Sequence, residues 1–344
     1  MNTPPPALRI GALAPLTPPG WVEAGRHLLA GLELAAGEIN TAGGVAGRPL
    51  ELLVRDTAAN PDKAAAAVRE LAGLGVAALA GEYHSVVARS AAATADALGL
   101  PYLCSSAVLD ALTDHPTPWV ARLAPAQSYG WQIYADHLRK AGHTRIAVAT
   151  QPSLYWASGT RILREHLTVV ELDATTLTPV ALCDELAAQG VTALLLLVGI
   201  PEPAAPIVQA VRSDPRLTGL LIGAPAGQPE LPGSAELLGG IPFLRYLPEH
   251  LSPLGARVET ALRERLGESP SFVAFEGYDT ITVLADLLRS GGTDWAGVAV
   301  EGTRGAIRFT RTPGISVWQW AWPPVQVADR DPDHPETFRT LHTG

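Results

Sequence analysis

Serine side chains follow two successive predicted strands, in a pattern that suits the binding of a small ligand. The strand predicted over 76–80 is followed by Gly-Glu-Tyr-His-Ser, which ends at Ser85, and the strand predicted over 101–104 is followed by Ser105 and Ser106. In an open parallel sheet the carboxyl ends of strands share one edge, where helix N-termini offer unpaired N–H groups and a partial positive charge. We therefore expect these three serines to receive a small polar or anionic group.

Three neighbouring residues complete the candidate set on this edge. Tyr83 and His84 lie in the turn before Ser85, and Trp21 lies in the loop before the first predicted helix, so all three are predicted to line the ligand site. Structural roles compete with these assignments. A serine at a helix start can cap an unpaired N–H, Tyr83 can pack at the sheet edge, His84 can be an ordinary loop residue, and Trp21 can be a partly exposed packing residue.

An alternation of strands and helices positions these residues. The first strand is predicted over 8–13, apolar residues then recur at helical spacing until Gly43-Gly44, and Asn60-Pro61 begins the next helix. This order predicts an α/β fold with helices on both faces of parallel sheets. The alternation pauses around 119–125 and then restarts. Because the chain has 344 residues, we expect two lobes.

Some later segments have their own signals. A helix start is predicted over 109–113, just after the two adjacent serines. The segments 304–309 and 315–320 resemble a hairpin, and 323–344, rich in proline, aspartate and histidine, is predicted to be an extended surface segment. Asp279 is interpreted as a structural residue of a long helix.

The sequence offers no catalytic constellation. The motifs G-x-G-x-x-G, G-x-x-x-x-G-K-[ST], G-x-S-x-G and H-E-x-x-H are missing, and the nine histidines show no metal-ligand spacing. Cys104 and Cys183 lie far apart without a C-x-x-C motif, and we interpret them as buried free thiols, with a disulfide or a metal pair as alternatives. We predict no enzyme, cofactor or metal, while a carboxylate pair assembled from distant residues stays open.

The charge and hydropathy of the chain exclude two kinds of partner. The net charge is −9, from 34 acidic and 25 basic residues, so no basic stripe is available for a nucleic acid. No apolar run reaches the length of a membrane helix. The sequence begins Met-Asn-Thr-Pro-Pro-Pro and passes directly into the first predicted strand, so we expect no secretory signal.

A series of short motifs, in a shared order, carries a family resemblance along nearly the whole chain. It includes Ile39-Asn40-x-x-Gly43-Gly44-Val45-x-Gly47-Arg48-Pro49-Leu50, and its other members are Ile10-Gly11, Pro15, Gly31, Asp56, Gly81 to Ser85, Leu112-Thr113, Arg122, Pro125, Gln127, Tyr155, Gly159 and Tyr278-Asp279. Together they resemble the type I periplasmic binding protein family, in its branched-chain amino acid and amide branch of ABC transporter substrate-binding proteins.

The resemblance implies a protein of two lobes that close around a ligand by hinge motion. Its fold would be two Rossmann-like, doubly wound parallel-sheet lobes joined by three hinge crossovers, with 1–121 plus 249–312 as lobe one and 122–248 plus 313–344 as lobe two. Closure of the lobes on a ligand would remove water from the ligand and its polar partners together. Tyr155 would be an aromatic residue of lobe two over the ligand.

The same resemblance bears on the ligand. In relatives that bind amino acids, a serine and a threonine hold the carboxylate and an acid pairs with the ammonium group. Ser85 matches that serine and the backbone at Ser106 its neighbour, but the threonine position aligns with Val108 and the acid position falls at Pro225 or Ala226. An unpaired buried ammonium is costly. We therefore expect an amino-acid derivative, an amide or a small carboxylate, with Glu82, Glu202 and Glu230 as candidate substitutes for the acid.

Two functions follow from the resemblance. The first is delivery of the solute to an ABC permease, which implies a periplasmic or extracytoplasmic protein. The second is a sensor acting on a regulatory protein, because Tyr83 and Ser85 resemble the Gly-x-Tyr-x-Ser turn of the cytoplasmic amide sensor of amidase operons. A chain without a signal peptide would be cytoplasmic, and this favours the sensor.

Overall fold

The computed structural model describes residues 5–230, 237–335 and 337–344. The first part of the chain alternates strands and helices: β1 (Leu8–Ala14), α1 (Val22–Thr41), β2 (Leu50–Asp56), α2 (Pro61–Gly73), β3 (Ala78–Gly81), α3 (Ser85–Ala97), β4 (Tyr102–Cys104), β5 (Val120–Arg122), α4 (Gln127–Lys140), β6 (Arg145–Thr150), α5 (Leu154–His166), β7 (Thr168–Asp173), α6 (Pro179–Gln189), β8 (Ala193–Leu197), α7 (Ala204–Ser213) and β9 (Leu221–Gly223). The later elements are β10 (Phe243–Arg245), α8 (Pro253–Leu266), α9 (Phe272–Arg289), β11 (Ala299–Gly302), β12 (Gly305–Thr310), β13 (Trp318–Trp320), β14 (Gln326–Arg330) and β15 (Phe338–Thr343).

The chain divides into two compact units. Residues up to Ala126 together with His250–Pro324 form the first unit, and Gln127–Glu249 together with Val325–Gly344 form the second. The last change of unit therefore falls after Pro324, whereas the sequence analysis places it after residue 312. The reason is strand pairing, because β13 pairs with β5 and β12 in the first unit.

The first unit is built on one eight-stranded sheet. Its strand order is β11-β12-β13-β5-β4-β3-β1-β2, and the pairs from β2 to β13 are parallel, while β12 and β11 add an antiparallel edge. In register, Ile10 of β1 faces Leu52 of β2 and Ala78 of β3. One core cluster joins α2 and α3 to this sheet and includes Leu71, Leu79 and other fully buried residues.

The helix pair α1 and α9 forms a second packing layer of this unit. At Gly31 a Cβ atom would lie 1.9 Å from the Ala274 carbonyl oxygen, and at Gly277 it would lie 2.3 Å from the Leu28 carbonyl oxygen. The two backbones are thus in direct contact, which only glycine allows. This contact is a physical reason for glycine at position 31, which is one of the residues of the family pattern.

The second unit carries two strand groups. The parallel sheet β7-β6-β8-β9 continues through a bridge between Ala224 and Phe243 into the antiparallel group β10-β14-β15. The prediction of an extended surface segment over 323–344 is therefore wrong for β14, whereas β15 is an extended and mostly exposed strand. β14 is buried along its whole length, because it lies between β10 and β15 and its Val327 and Ala328 are 0% exposed.

The predicted helix over 109–113 is absent from the described residues. Two carbonyl groups that such a helix would use, those of Val108 and Leu109, accept hydrogen bonds from the buried guanidinium of Arg122 at 3.0 and 2.6 Å. The Thr113 N–H instead donates to the Ser316 hydroxyl at 3.3 Å. The chain between β4 and β5 is consequently an irregular segment that long-range contacts hold in place. Elsewhere the predicted hairpin is confirmed as β12 and β13, whereas β11 was not predicted.

Candidate ligand-binding site

The strand order of the first unit brings the predicted residues to one edge of the sheet. β1 lies between β2 and β3, so the chain leaves β1 and β3 toward different neighbours, and the carboxyl ends of such strands border a crevice in open α/β sheets. Trp21 follows β1, Tyr83 follows β3, and Ser106 follows β4. The carboxyl edge of the first unit is therefore the candidate site on this unit.

The start of α3 differs from the expected serine cap. His84 is the N-cap residue, and Ser85 is the first residue of the helix. The Ser85 hydroxyl accepts a hydrogen bond from the Leu109 N–H at 3.4 Å. Ser85 therefore ties the beginning of α3 to the segment after β4, so that the turns after β3 and β4 meet at this serine.

Glu82 supplies the negative charge at the N-terminus of α3. Its carboxylate is 0% exposed, and Oε1 accepts hydrogen bonds from the backbone N–H groups of Tyr83 and His84 at 2.8 and 3.0 Å. Oε2 accepts from the Thr57 hydroxyl at 2.6 Å, and His84 Nδ1 lies 3.3 Å from Oε1. A carboxylate bound in this way is fully engaged. Glu82 is thus held within the first unit and is no free partner for an ammonium group.

This role of Glu82 was not predicted from the sequence, where Glu82 is a candidate partner for an ammonium group. Glu82 lies two residues before the N-cap of α3, close to the positive end of the helix dipole, where an acidic residue is favourable. What the sequence could not show is the bond to Thr57, which follows β2.

The aromatic candidates of the first unit lie together. The Trp21 and Tyr83 ring centroids are 6.4 Å apart with an interplanar angle of 60°, and those of Tyr83 and His84 are 5.2 Å apart at 88°. These edge-on contacts form a continuous aromatic surface beside the α3 start. The structure thus brings together three of the residues predicted from sequence.

The two adjacent serines after β4 have different environments. Ser105 is 0% exposed and its hydroxyl lies 3.0 Å from the Thr280 hydroxyl of α9, so it takes part in packing. Ser106 is 5% exposed, its N–H donates to the Glu82 carbonyl at 3.4 Å, and its hydroxyl has no hydrogen-bond partner within the described ranges. A buried hydroxyl without a partner is unusual. We therefore keep Ser106 in the candidate site and remove Ser105.

Tyr155 is anchored within the second unit. It lies in the first turn of α5, where its N–H donates to the Ser153 hydroxyl at 3.2 Å, and its ring is 5.9 Å from that of Trp131. Burial raises the pKa of the Tyr155 hydroxyl. Gln127 donates to the Tyr155 carbonyl at 3.0 Å, and a Cβ at Gly159 would lie 2.1 Å from the Trp131 ring. Gln127, Tyr155 and Gly159, all part of the family pattern, are therefore one packing arrangement around Trp131.

The second unit lacks the acid that pairs with an ammonium group in relatives, and its candidate replacements differ in exposure and in their partners. Pro225 and Ala226 are buried and offer no side-chain acceptor. Glu230 is 4% exposed and its Oε2 lies 3.6 Å from Arg245 Nε, so its charge is already compensated. Glu202 is exposed. Of the three acids named from sequence, two are thus held by groups of their own unit.

A geometric cluster of possible metal ligands lies elsewhere, at the α1 helix. Oxygen and nitrogen atoms of Glu23, His27 and Glu268 are all within 4.8 Å of one another. However, His27 Nδ1 accepts a hydrogen bond from the Ser271 N–H at 3.0 Å, which leaves the ring proton on Nε2, 3.1 Å from Glu268. A protonated nitrogen offers no lone pair to a metal, and Arg26 also pairs with Glu268. We interpret the cluster as a structural link, in which burial lowers the pKa of His27.

A second buried charge cluster explains Asp279. Arg304 Nε donates to its carboxylate at 3.0 Å, and Arg304 also donates to Glu276 at 3.1 Å. The side chains of all three residues are fully buried. Burial raises the pKa of Asp279, and Arg304 opposes that shift. This agrees with the interpretation of Asp279 as a structural residue of a helix.

The sequence of this chain is similar to those of known proteins. The family described as Periplasmic binding protein matches residues 7–315. A curated relative, Leu/Ile/Val-binding protein homolog 7 of Brucella melitensis, is 31% identical over 161 residues, which cover 44% of this chain and 40% of that protein. The match therefore spans well under half the length of that relative. In the part of the chain that the structure describes, no helix has both the length and the apolar character needed to cross a membrane.

Solved structures show the same fold over almost the full length. The branched-chain amino acid transporter substrate-binding protein LivJ of Streptococcus pneumoniae, in complex with isoleucine, has a TM-score of 0.81 at 20% identity and covers 98% of this chain and 99% of its own. A solute-binding protein of an R. palustris ABC transporter, in complex with benzoate, has a TM-score of 0.79 at 17% identity, with 98% and 96% covered. The fold is thus the two-lobed α/β fold of type I periplasmic binding proteins. Since the family match covers most of its residues, the chain belongs to the Periplasmic binding protein family.

Proposed function

We propose that this chain is a solute-binding protein that captures a small polar molecule reversibly and performs no bond chemistry. The observation that supports this most directly is the family match over residues 7–315. By their descriptions, the S. pneumoniae structure is a branched-chain amino acid transporter substrate-binding protein and the R. palustris structure is a solute-binding protein of an ABC transporter. By the same argument the partner is an ABC permease and the compartment is extracytoplasmic.

The proposed site uses residues of both units. On the first unit it comprises Trp21, Tyr83, His84, Ser85 and Ser106, supported by the aromatic contacts and by the partnerless hydroxyl of Ser106. On the second unit it comprises Tyr155. Capture would occur by closure of the two units about the three chain crossovers, which would strengthen each polar contact by excluding water.

The proposed ligand is an amino-acid derivative, an amide or a small carboxylate, and not a branched-chain amino acid. Relatives carry names that include Leu/Ile/Val binding, and the S. pneumoniae structure holds isoleucine. In this chain, however, Val108 cannot donate a side-chain hydrogen bond, and Pro225 and Ala226 cannot pair with an ammonium group. Glu230, which lies nearby in sequence, is paired with Arg245.

A sensor is the second candidate, and the Gly81-x-Tyr83-x-Ser85 turn supports it. In this version, ligand binding would change a contact with a regulatory protein instead of a permease. The genes beside this one distinguish the two candidates. Permease and ATPase genes support transport, whereas a regulator or amidase gene supports sensing.

The proposed function predicts the outcome of a ligand screen. A thermal-shift panel of amino acids, amides, aromatic acids and small carboxylates should contain at least one compound that stabilises the protein, because a ligand that binds only the folded state raises its stability. Titration calorimetry should then place leucine, isoleucine and valine at least about a hundredfold weaker than the best compound, the cost of an unpaired ammonium group. Submicromolar leucine binding would contradict the ligand class, and a panel without any binder would contradict the function.

A further inference from the structure

We propose that Glu82 is a specificity-determining residue, which makes the site prefer a neutral group, such as a primary carboxamide, over a carboxylate. This inference rests on the proposed function and names the ligand class of the same site. Glu82 acts without touching the ligand, because its carboxylate is 0% exposed. It acts by engaging the N–H groups of Tyr83 and His84, which directly precede α3, and by placing a negative charge beside the site.

Two backbone donors directly before α3 are already engaged. The N–H groups of Tyr83 and His84 donate to Glu82 Oε1 at 2.8 and 3.0 Å, so neither is available to an anionic ligand. Thr57 donates to the other oxygen at 2.6 Å. A ligand carboxylate would have to displace the Glu82 carboxylate from these N–H groups. Because Glu82 is part of the chain, it loses no translational entropy when it forms these hydrogen bonds.

The charge of Glu82 adds to this effect. Both of its oxygens accept hydrogen bonds from N–H and O–H donors, which is the pattern of an ionised carboxylate. Within the described ranges, no arginine or lysine side chain bonds to Glu82, and His84 Nδ1 lies 3.3 Å from its Oε1. A second carboxylate nearby would meet a like charge in a region of low dielectric constant.

The remaining polar groups suit a neutral ligand. The N–H of Ser106 donates to the Glu82 carbonyl at 3.4 Å, so the partnerless hydroxyl of Ser106 lies next to the charged turn. A hydroxyl can both donate and accept a hydrogen bond, and so can a carboxamide. A carboxylate can only accept. The hydroxyl therefore serves an amide at least as well as an acid, while the charge beside it penalises only the acid.

The test compares matched pairs of probes by titration calorimetry. Benzamide with benzoate, and propanamide with propanoate, differ little in shape, so the affinity ratio within a pair reports the charge preference. We expect the wild-type protein to bind the amide at least about tenfold more tightly than the acid, as expected for a partly screened like charge. In Glu82→Gln the acid should gain about tenfold while the amide changes less than about threefold. A glutamine there can still accept from the two N–H groups and donate to Thr57.

Two control variants separate charge from structure. Glu70→Gln makes the same change in net charge at an exposed position of α2, where Glu70 pairs with Arg55, and should leave the ratio unchanged. Thr57→Val removes a hydrogen bond to Glu82 but keeps its charge, and should keep the preference for the amide. If Glu82→Gln does not fold, the test is the affinity ratio of amide to acid in the wild-type protein. Equal or tighter binding of the acid then overturns the inference.

The outcomes are distinct. Equal or tighter binding of the acid by the wild-type protein, or an unchanged ratio in folded Glu82→Gln, overturns the inference while the proposed function stands. If no probe and no compound of the wider panel binds, the proposed function fails and the inference falls with it.

Discussion

Ser105 and Ser106 show at the scale of single residues how neighbours of one type can differ in role. Both are buried, yet the hydroxyl of Ser105 meets Thr280 of α9, and that of Ser106 meets no partner in the ranges described. Ser105 directly follows β4, whereas Ser106 lies in the bend after it, so the two side chains meet different surroundings. Of these two serines, Ser106 is therefore the one whose hydroxyl is open to a ligand.

Serine-to-alanine substitutions test this distinction. Ser106→Ala and Ser85→Ala should each weaken binding of the best panel compound by about tenfold, the value of one hydrogen bond in a buried site. Ser106→Ala should change stability little, whereas Ser85→Ala should lower the free energy of unfolding by about 1 kcal/mol, because the Leu109 N–H loses its acceptor. Ser105→Ala is the matched control, since it should lower the free energy of unfolding by about 1 kcal/mol and leave the dissociation constant within about twofold. Titration calorimetry and urea unfolding measure the two effects. Unchanged affinity in Ser106→Ala would remove this residue from the proposed site.

At the scale of elements, the contact between α1 and α9 depends on glycine. The helix α1 contains Gly31, where an added Cβ would meet the Ala274 carbonyl oxygen at 1.9 Å, and Gly37, where nothing lies within 4 Å. Both positions are helical, so they share the same intrinsic preference for alanine over glycine. Their difference is therefore a difference in packing alone.

This pair of glycines allows a controlled prediction. Gly31→Ala should reduce the free energy of unfolding by about 3 kcal/mol, because the two helices must move apart to accept the methyl group. Gly37→Ala should raise it by about 0.5–1 kcal/mol through helix propensity. Guanidinium unfolding of both variants measures this. Equal effects of the two substitutions would show that the close approach of the helices is not important for stability.

At the scale of the whole molecule, the two units are assembled from discontinuous stretches of chain. Val325–Gly344 belongs to the second unit, where β14 pairs with β10 and β15. Arg330 of β14 donates to the carbonyls of Pro229 and Glu230 at 3.1 and 2.7 Å, so this strand also holds the segment after β9. β14 is therefore part of the core of this unit.

Substitutions in this last segment test its contribution. Val327→Ala, at a residue 0% exposed on β14, should lower the free energy of unfolding by about 2 kcal/mol through lost burial and a small cavity. Leu341→Ala, at a residue 39% exposed on β15, should change it by less than about 0.5 kcal/mol. Thermal unfolding followed by circular dichroism compares the two. A Val327→Ala variant as stable as Leu341→Ala would mean that β14 contributes little to the unit.

Much of the fold could be predicted because it depends on local patterns. The strand predicted over 8–13 is observed as β1 (Leu8–Ala14), and the helix predicted to begin at Asn60-Pro61 is observed as α2 (Pro61–Gly73). Asn60 caps α2 through hydrogen bonds to the N–H groups of Asp62 and Lys63, as the Asn-Pro-Asp motif indicates. The predicted helix over 109–113 failed because Arg122, distant along the chain from its start, binds the carbonyl groups that it would use.

The sequence by itself determined the α/β alternation, the family and the strand end at which the candidate residues gather. Each of these depends on neighbours in the chain or on short motifs in a fixed order. The tertiary structure alone decided that Ser105 serves packing, that Glu82 is bound by Thr57, and that the last segment forms strands of the second unit. The physical reason is the same in each case. A polar group or an edge strand takes its role from the partner that it meets in space. Thr57 lies 25 positions from Glu82, and Thr280 lies 175 positions from Ser105.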